Sequence, residues 1–361
     1  MEIKNDTPFE DGLIIGMGTD RRPCAAVVVK GTFVMPKGLD GLVEVAEVAE
    51  EQQPVLASEE YHNGDVTGSL LFDADTAPFK PCADVVLVGQ AYAPQGRPAG
   101  HVDVLLEVGP LRKALRVFGN RHWLFPSRAV MIPVISPPEA FTEMPLRYEL
   151  AFGGIDRKGG KWCDKNFIGK GFLGKKSKAS VDGKPLPNIE DPARLITSWD
   201  DEPSPAGYGF YNAAWQPRVG YGGTEKGLEQ PHPLFGLAAD FNHAYYNSAH
   251  PDLQAPGYLR GDEEVDLINL TRDGRRRFRL PGVRPTITLS IFTEASETPE
   301  QEGLAARSTE THLLDAALDT LVLLPDAGLF YQVWRGVYPL PDLEAGLDAI
   351  AEIDIQMADA T

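Results

Sequence analysis

Polar and apolar residues alternate in short segments over the first 152 residues, and Gly or Pro interrupts the alternation repeatedly. A period of two residues is typical of β-strands, because successive side chains of a strand point to opposite faces. The clearest predicted strands are Cys24–Met35, Leu42–Val48 and Asp84–Ala91. Val102–Val108 and Leu111–Phe118 are separated only by Gly109 and Pro110, which predicts a β-hairpin.

The same alternation returns towards the C-terminus. Glu264–Leu270 and Arg275–Leu280 flank Asp273-Gly274, a dipeptide that favours a type I′ hairpin turn. Further predicted strands are Thr286–Phe292 and a hairpin of Thr320–Leu324 with Phe330–Tyr338. A short terminal helix is predicted where apolar residues recur near helical spacing, at Leu343, Leu347, Ile350 and Ile353. The predicted fold is mainly β, with antiparallel, sandwich-like sheets, long irregular loops and a short C-terminal helix.

The order of these patterns divides the chain into four segments. Residues 1–152 are predicted to form an N-terminal antiparallel β unit, and residues 153–293 a loop-rich central region with a second β unit. Residues 294–311 are acidic and poor in apolar residues, which is typical of a flexible linker. We expect residues 312–361 to form a hairpin and helix that pack back on the body of the protein.

The composition is that of a soluble globular protein: of 361 residues, 43% are hydrophobic and 24% are charged. The formal net charge of −18 disfavours nucleic acid or an anionic membrane as a partner, because their phosphates would repel most of the surface. Protein partners are therefore the better expectation. The first residues lack the basic and apolar regions of a signal peptide, and no apolar run is long enough for a membrane helix, so we expect a cytoplasmic protein.

A glycine-rich, basic segment between Arg157 and Lys184 stands out in this acidic chain. It holds one Arg and eight Lys against two Asp, which gives a net charge of +7. Such a cluster is either a solvated face or a docking surface for an acidic partner, since grouped charges of one sign raise association rates. The docking interpretation gives four candidate partner-binding residues, Lys170, Lys175, Lys176 and Lys178.

Aromatic residues concentrate in the irregular region that follows this basic segment. They could pack beneath the loops or form a binding surface, because aromatic side chains and Arg are enriched at protein interfaces. The sequence leaves both interpretations open. Under the second, the candidate partner-binding residues are Trp199, Tyr208, Phe210, Trp215, Arg218 and Phe241.

Three patterns are similar to catalytic or ligand sites, and each lacks part of what the chemistry needs. The segment from Gly169 to Lys176 nearly matches a phosphate-binding loop, but Lys176 replaces the hydroxyl residue that holds Mg²⁺. Cys163 lies among lysines that would favour a thiolate, yet no residue is evident for an oxyanion hole. The alternative function, a metal-dependent or carbohydrate-acting hydrolase, would use the densest group of possible metal ligands, His232, Asp240, His243, His250 and Asp252. No cofactor is predicted.

The residues from Arg147 to Phe152 also alternate, and they predict a strand that leads into the basic segment. Arg147 and Glu149 would share one face of that strand. We expect both charges to be partly buried, paired with each other or with loop backbone, and to anchor Gly153 and Gly154.

Several motifs, in the same order, resemble a bacterial family named only as a domain of unknown function (2169). The motifs are Met144–Gly154, Asn166 with Gly169–Gly171, Leu186–Asp191, Pro205–Gly209, Trp215–Arg218 and Asp240–Asn242. The resemblance covers most of the chain. The residues expected to shape the family's structural motif are Arg147, Glu149, Phe152, Gly153, Gly154, Asn166, Gly169, Gly171, Asn188 and Asp240.

Members of that family are similar to adaptors, or chaperones, of the type VI secretion system. The resemblance implies a protein that binds a secreted effector toxin and loads it onto a valine–glycine-repeat spike protein, without enzyme activity. The expected partners are therefore the effector and the spike protein. Two loops depart from the usual family pattern: Asn166-Phe-Ile-Gly169 replaces Asn-Pro-x-Gly, and Gly223-Thr224 continues into Glu-Lys-Gly-Leu.

Overall fold

β-strands dominate the fold. The computed structural model describes residues 2–37, 43–127, 129, 132–293, 308–341 and 343–358. The first strands along the chain are β1 (Glu2–Asn5), β2 (Glu10–Met17), β3 (Pro23–Val34), β4 (Glu44–Val45), β5 (Glu47–Val48), β6 (Glu60–Tyr61), β7 (Leu70–Phe72), β8 (Asp84–Leu87), β9 (Gln90–Tyr92), β10 (His101–Val108), β11 (Leu111–Phe118), β12 (Trp123–Leu124), β13 (Val134–Ile135) and β14 (Glu143–Pro145).

The later strands are β15 (Phe152–Gly153), β16 (Ile155–Asp156), β17 (Lys161–Trp162), β18 (Lys170–Gly171), β19 (Ile189–Glu190), β20 (Glu264–Ile268), β21 (Arg275–Arg279), β22 (Pro285–Thr293), β23 (Ser308–Leu314), β24 (Ala317–Leu324), β25 (Leu329–Pro339) and β26 (Ile350–Met357). The helices are short, and they are α1 (Lys178–Val181), α2 (Arg218–Tyr221), α3 (Glu225–Leu228) and α4 (Leu343–Ala349).

The central sheet has the strand order β2-β3-β25-β24-β8, with β5 added beside β3. Strand β3 is buried along nearly all of its length. This burial explains the continuous apolar run from Cys24 to Val29, because a strand covered on both faces needs no polar side. β3 pairs with β25 in antiparallel fashion, from Cys24 opposite Pro339 to Val34 opposite Leu329. The pairing joins an early and a late part of the sequence in one sheet.

Two further sheets surround the central one. The second sheet has the order β19-β11-β10-β20-β21-β4, and the third has the order β1-β26-β22-β23. The predicted hairpins β10–β11, β20–β21 and β24–β25 are confirmed as antiparallel pairs. The predicted type I′ turn between β20 and β21 is wrong, because the residues of this connection with positive φ are Asn269 (57°) and Gly274 (89°) rather than Asp273 and Gly274.

One hydrophobic core is shared by the three sheets. The rings of Phe278 in β21 and Phe330 in β25 lie 5.5 Å apart, which places the second sheet against the central one. Leu289 and Ile353 of the third sheet belong to the same cluster of buried side chains. The mainly β, sandwich-like prediction is therefore confirmed. Within these three sheets, the pairs β8–β24, β1–β26 and β4–β21 are parallel.

Three predicted elements need correction. The terminal helix ends at Ala349 and the chain continues as β26, in which Ile353 and Ile355 are buried with the spacing of a strand. The predicted strand Leu42–Val48 is divided into β4 and β5 at the buried Ala46, and Leu42 lies outside the described residues. Of the predicted linker, residues 308–311 belong to β23, and residues 294–307 lie outside the described residues.

The sheets also cross the boundaries of the four predicted segments. The central sheet combines β2, β3 and β8 with β24 and β25, and the second sheet combines β10 and β11 with β20 and β21. The hairpin of β24 and β25 thus pairs with the N-terminal strand β3. Among the described residues, no helix has the length and apolar character that crossing a membrane would need.

Candidate partner-binding site

The buried side chain of Asn166 ties the basic segment to the residues that precede it. Its Nδ2 donates to the carbonyl oxygens of Tyr148 (2.8 Å) and Phe152 (3.1 Å). Its backbone carbonyl oxygen accepts the N–H of Gly154 at 2.8 Å. A Cβ on Gly153 would lie only 2.0 Å from that oxygen, so glycine is required for this close approach.

The other glycines of the structural motif serve the same packing. A Cβ on Gly169 would lie 2.5 Å from Nδ2 of Asn166, and a Cβ on Gly171 would lie 2.7 Å from the ring of Pro187. Strand β18 can therefore lie flat against its surroundings and pair in parallel with β15, which places Phe152 opposite Lys170. These contacts support the structural role that the resemblance assigns to the motif.

A buried ion pair fixes the end of the basic segment. The guanidinium of Arg121 donates to the carboxylate of Glu190, and Glu190 also accepts the N–H of Ile196 at 2.8 Å. Burial lowers the pKa of Arg121 and raises the pKa of Glu190. Beside the pair, Nδ2 of the buried Asn188 donates to the carbonyl oxygen of Phe118 at 2.9 Å. Buried polar contacts thus hold the basic segment from within, at Asn166, and just after it, at Asn188 and Glu190.

Two of the four candidate lysines are tied to the body of the protein. The Nζ of Lys176 lies 2.9 Å from Oε1 of Glu202 and 3.5 Å from Oδ1 of Asp200. The Nζ of Lys178 donates to the carbonyl oxygen of Ser127 at 3.1 Å. An acidic partner would have to compete with these contacts.

The other two candidate lysines differ in exposure. Lys170 is half-buried, and burial together with the nearby Arg121 lowers the pKa of its ammonium group. Lys175 is exposed and forms no ion pair with a residue that the structure describes. Of the four candidates, Lys175 is therefore the one best placed for contact with a partner.

The structure also exposes a surface that the sequence did not single out, a short two-stranded element that we call the basic hairpin (residues 155–162). Its strands β16 and β17 place Ile155 opposite Trp162. Both side chains are exposed, and so are the cations of Arg157, Lys158 and Lys161. The sequence does contain a hairpin pattern here, because two apolar residues flank charged residues and a Gly-Gly turn. The many glycines and lysines of the whole basic segment made this pattern hard to recognise.

Three of the six motifs that carry the family resemblance meet at a cleft of about 800 Å³. Asp191, Pro205 and Gln216, from three different motifs, line it together. Its charged groups have both signs, with Lys113, Lys165 and Arg194 balanced by Asp164, Asp191 and Asp252. The cleft therefore has no preference for a ligand of one charge.

His250 lies in the wall of this cleft, and both of its ring nitrogens are already used. Its Nδ1 accepts the N–H of Asp252 at 3.1 Å, and its Nε2 donates to the carbonyl oxygen of Pro205 at 3.1 Å. Burial, and then the nearby Lys113, lower the pKa of His250 to about 4. These contacts assign a neutral ring protonated at Nε2, which shapes the cleft wall and offers no free base.

The five candidate metal ligands do not converge. The Nε2 of His232 bonds to the carbonyl oxygen of Arg21 at 2.9 Å, and the Nε2 of His243 bonds to that of Met17 at 2.8 Å. Asp240 accepts a hydrogen bond of 2.7 Å from the hydroxyl of Thr224, the residue before α3. Within the described ranges, no three His, Cys, Asp or Glu side chains are grouped to hold a metal ion. The ligand grouping that the alternative hydrolase function would need is therefore not formed by these five residues.

Most of the aromatic candidates lie inside the protein. Tyr208, Phe210 and Trp215 are buried, and the hydroxyl of Tyr208 donates to the carbonyl oxygen of Lys113 at 2.9 Å. Their role as surface anchors is corrected to packing beneath the loops. Trp199 is half-buried, with its ring 6.3 Å from that of Phe125. Phe241 is also half-buried, within a group of aromatic rings.

Arg218 is buried as well, and its guanidinium joins three separate segments. Nε donates to the carbonyl oxygen of Tyr245 at 2.7 Å, and Nη1 donates to that of Tyr211 at 2.7 Å. Nη2 donates to Oδ2 of Asp73 at 2.8 Å. Because all three guanidinium nitrogens donate to groups inside the protein, Arg218 is not available to a partner. This corrects its prediction as a partner-binding residue.

The predicted strand from Arg147 to Phe152 is wrong. Tyr148–Leu150 forms a 3-10 turn, closed by the N–H of Ala151 donating to the carbonyl oxygen of Tyr148 at 3.1 Å. Glu149 accepts the backbone N–H of Ser69 at 2.8 Å and its hydroxyl at 2.7 Å, so its expected pairing with loop backbone is confirmed. Arg147 is half-buried and forms no ion pair with a described residue.

The remaining chemical patterns are also resolved by local structure. Burial raises the pKa of Cys163, which disfavours the thiolate that a nucleophile would need. The segment that is similar to a phosphate-binding loop contains β18, and the helix after it, α1, is a single turn capped by Ser177 and Ser180. That turn is too short to present the helix N-terminus on which such a loop depends.

The comparisons with known proteins give one result on the family. A family model described as an uncharacterized protein conserved in bacteria (DUF2169) matches residues 20–335. No curated protein and no solved structure matches the chain. The matched region contains the cleft, the basic hairpin and, of the central sheet, β3, β5, β8, β24 and β25 as far as Arg335. Because it covers most of the sequence, the chain belongs to the bacterial family DUF2169.

Proposed function

We propose that this protein is a non-enzymatic adaptor that docks an acidic partner protein on its basic segment. The observation that supports the proposal best is the set of buried contacts that hold that segment, made by Asn166 within it and by Arg121 with Glu190 just after it. Charges that are held in place lose little conformational entropy when a partner binds. A merely solvated lysine loop would not need such a buried framework.

The partner class comes from the family resemblance. We infer a cytoplasmic chaperone that binds a type VI secretion effector and transfers it to the valine–glycine-repeat spike protein. The support for this class is the set of motifs that occur in the same order as in the family. The basic segment has a charge of +7 in a chain whose net charge is −18, so the complementary surface of the partner should be acidic.

Co-expression with the products of the neighbouring genes tests the proposal. A tagged chain should retain one of those products, and Lys158→Glu/Lys161→Glu/Lys175→Glu should slow its association. The matched control is Lys37→Glu/Arg97→Glu/Lys226→Glu, which changes the net charge equally at exposed positions elsewhere. The difference between the variants should shrink as salt rises, because at 1 M the Debye length falls to about 3 Å.

Two outcomes would contradict the proposal. If neither an effector nor a spike product is retained by the wild-type chain, the adaptor function is wrong. If both triple variants lose binding equally, the basic segment has no special role and only the total charge matters.

A further inference from the structure

The basic hairpin places two large apolar side chains side by side in solvent. Ile155 and Trp162 are direct cross-strand neighbours and are 49% and 60% exposed. Such neighbours have Cβ atoms about 4.5–5.5 Å apart, so the two side chains form one continuous apolar surface. Trp is among the residues most enriched at the energetic centres of protein interfaces.

Trp162 differs from the other tryptophans of the chain. Trp123, Trp215 and Trp334 are no more than 2% exposed, and Trp199 is half-buried. The chain therefore uses its other tryptophans for packing. The exposed indole of Trp162 has no such role, and it forms no ring contact with a residue that the structure describes.

Uncompensated cations accompany this apolar pair. Arg157, Lys158 and Lys161 are exposed, and within the described part of the chain none of them forms an ion pair. The acid of the hairpin, Asp156, is used internally, because its Oδ1 accepts the N–H groups of Lys158 and Gly159, both at 3.1 Å. The hairpin therefore presents an apolar centre with a positive rim.

The base of the hairpin is fixed. The N–H of Cys163 donates to the carbonyl oxygen of Gly154 at 3.0 Å. A Cβ on Gly174 would lie 2.4 Å from Oδ2 of Asp156, so the carboxylate packs closely on the neighbouring loop. An anchor on such a base can bind with little loss of conformational freedom.

We propose that Ile155 and Trp162 form the central anchor of the partner interface, inserted into an apolar pocket with an acidic rim on the partner protein. This inference rests on the proposed adaptor function and specifies its contact. Charge complementarity selects the occupant, because an acidic rim matches the cations of the hairpin. A nucleic acid or an anionic membrane would be repelled by the rest of a chain with a net charge of −18.

The first test measures Kd for the complex isolated by co-expression. Ile155→Ala/Trp162→Ala should raise Kd by about 30-fold, which equals the 2 kcal/mol that defines a hot spot. The matched control is Leu228→Ala/Leu234→Ala, whose side chains are 56% and 54% exposed elsewhere on the surface. An equal Kd for the hairpin variant and the control would overturn the inference.

The second test can be carried out before the partner is identified. The photo-crosslinking amino acid p-benzoylphenylalanine replaces Ile155, Lys175 or Leu228, one at a time, in the full chain in its own bacterium. Irradiation should link position 155, but not position 228, to a protein with an acidic surface. The adduct should disappear when Arg157, Lys158 and Lys161 are changed to Glu.

The outcomes separate the two proposals. An adduct at position 175 without one at 155 would leave the adaptor function standing and overturn the hairpin anchor. An adduct of twice the mass of this chain would identify a second copy as the occupant and overturn the acidic partner. If neither position 155 nor position 175 gives an adduct, both proposals are contradicted.

Discussion

Arg121 and Glu190 form an ion pair inside the protein, with side chains that are 6% and 1% exposed. The pair links the loop after β11 to β19, which is the strand of the second sheet that follows the basic segment. Because both groups have left water, each depends on the other. The raised pKa of Glu190 shows that burial outweighs the attraction of Arg121 for its carboxylate.

We expect Arg121→Ala or Glu190→Ala to destabilise the protein by about 3–5 kcal/mol, since each leaves a buried charge unpaired. Urea unfolding measures the loss. The control is Arg116→Ala at the exposed pair with Asp103, where about 0–1 kcal/mol is expected. Equal effects at the two pairs would show that burial does not govern the stability of this site.

Gly153→Ala should lower the stability of the protein more than Gly160→Ala, because Gly160 has open space around it. A Cβ on Gly153 would meet the carbonyl oxygen of Asn166 at 2.0 Å, so the backbone of the motif would have to move. Gly160, with a φ of 62° and open space around it, is the control, and Gly160→Ala should cost about 1–2 kcal/mol for its backbone conformation alone. Thermal unfolding compares the stability of the two variants. A lower melting temperature for Gly160→Ala than for Gly153→Ala would contradict this prediction.

Arg218→Lys should reduce stability and leave partner binding unchanged wherever the variant is folded. A lysine ammonium cannot reproduce the three separate directions in which Arg218 donates. Each buried acceptor left unpaired costs about 1–3 kcal/mol. Unfolding and binding are measured on the same preparation, and a weaker complex with unchanged stability would return Arg218 to the interface.

His250 should make the protein less stable as the pH falls from about 6.5 to about 4. Its pKa is about 4 in the folded protein and about 6.5 in the unfolded chain. The unfolded state therefore binds more protons between these values, and the stabilisation present above pH 6.5 is lost as the pH decreases, by up to about 1.4 kcal/mol for each pH unit.

Urea midpoints at pH 5, 6 and 7 test this dependence against His250→Gln, which removes the titrating group. The wild-type curve should be steeper than that of the variant over this range. Parallel curves for the two proteins would mean that His250 is not held neutral by its surroundings.

Local patterns predicted the hairpins well, because a strand pair joined by a short turn is specified by adjacent residues. The pairing of β3 with β25 has no such local signal, since its partners are separated by most of the chain. The sequence equally could not distinguish Trp215 from Trp162. Both are large aromatic residues in glycine-rich surroundings, and only the tertiary fold buries one and exposes the other.

The basic segment shows the same limit for the site. Its charge was evident from composition, but the contacts of Lys176 with Asp200 and Glu202 depend on where a later loop folds. The resemblance singled out the motif glycines. Their role as points of close backbone approach became clear only from the position of Asn166.

The pairing of β3 with β25 also determines when the protein can fold during synthesis. The ribosome makes Pro23–Val34 long before it makes Leu329–Pro339. In the interval, an apolar strand that is buried in the finished protein has an open edge, which is a template for aggregation. The nascent chain should therefore need protection until β25 has been made, and a truncation before β25 should yield insoluble protein rather than a smaller folded domain.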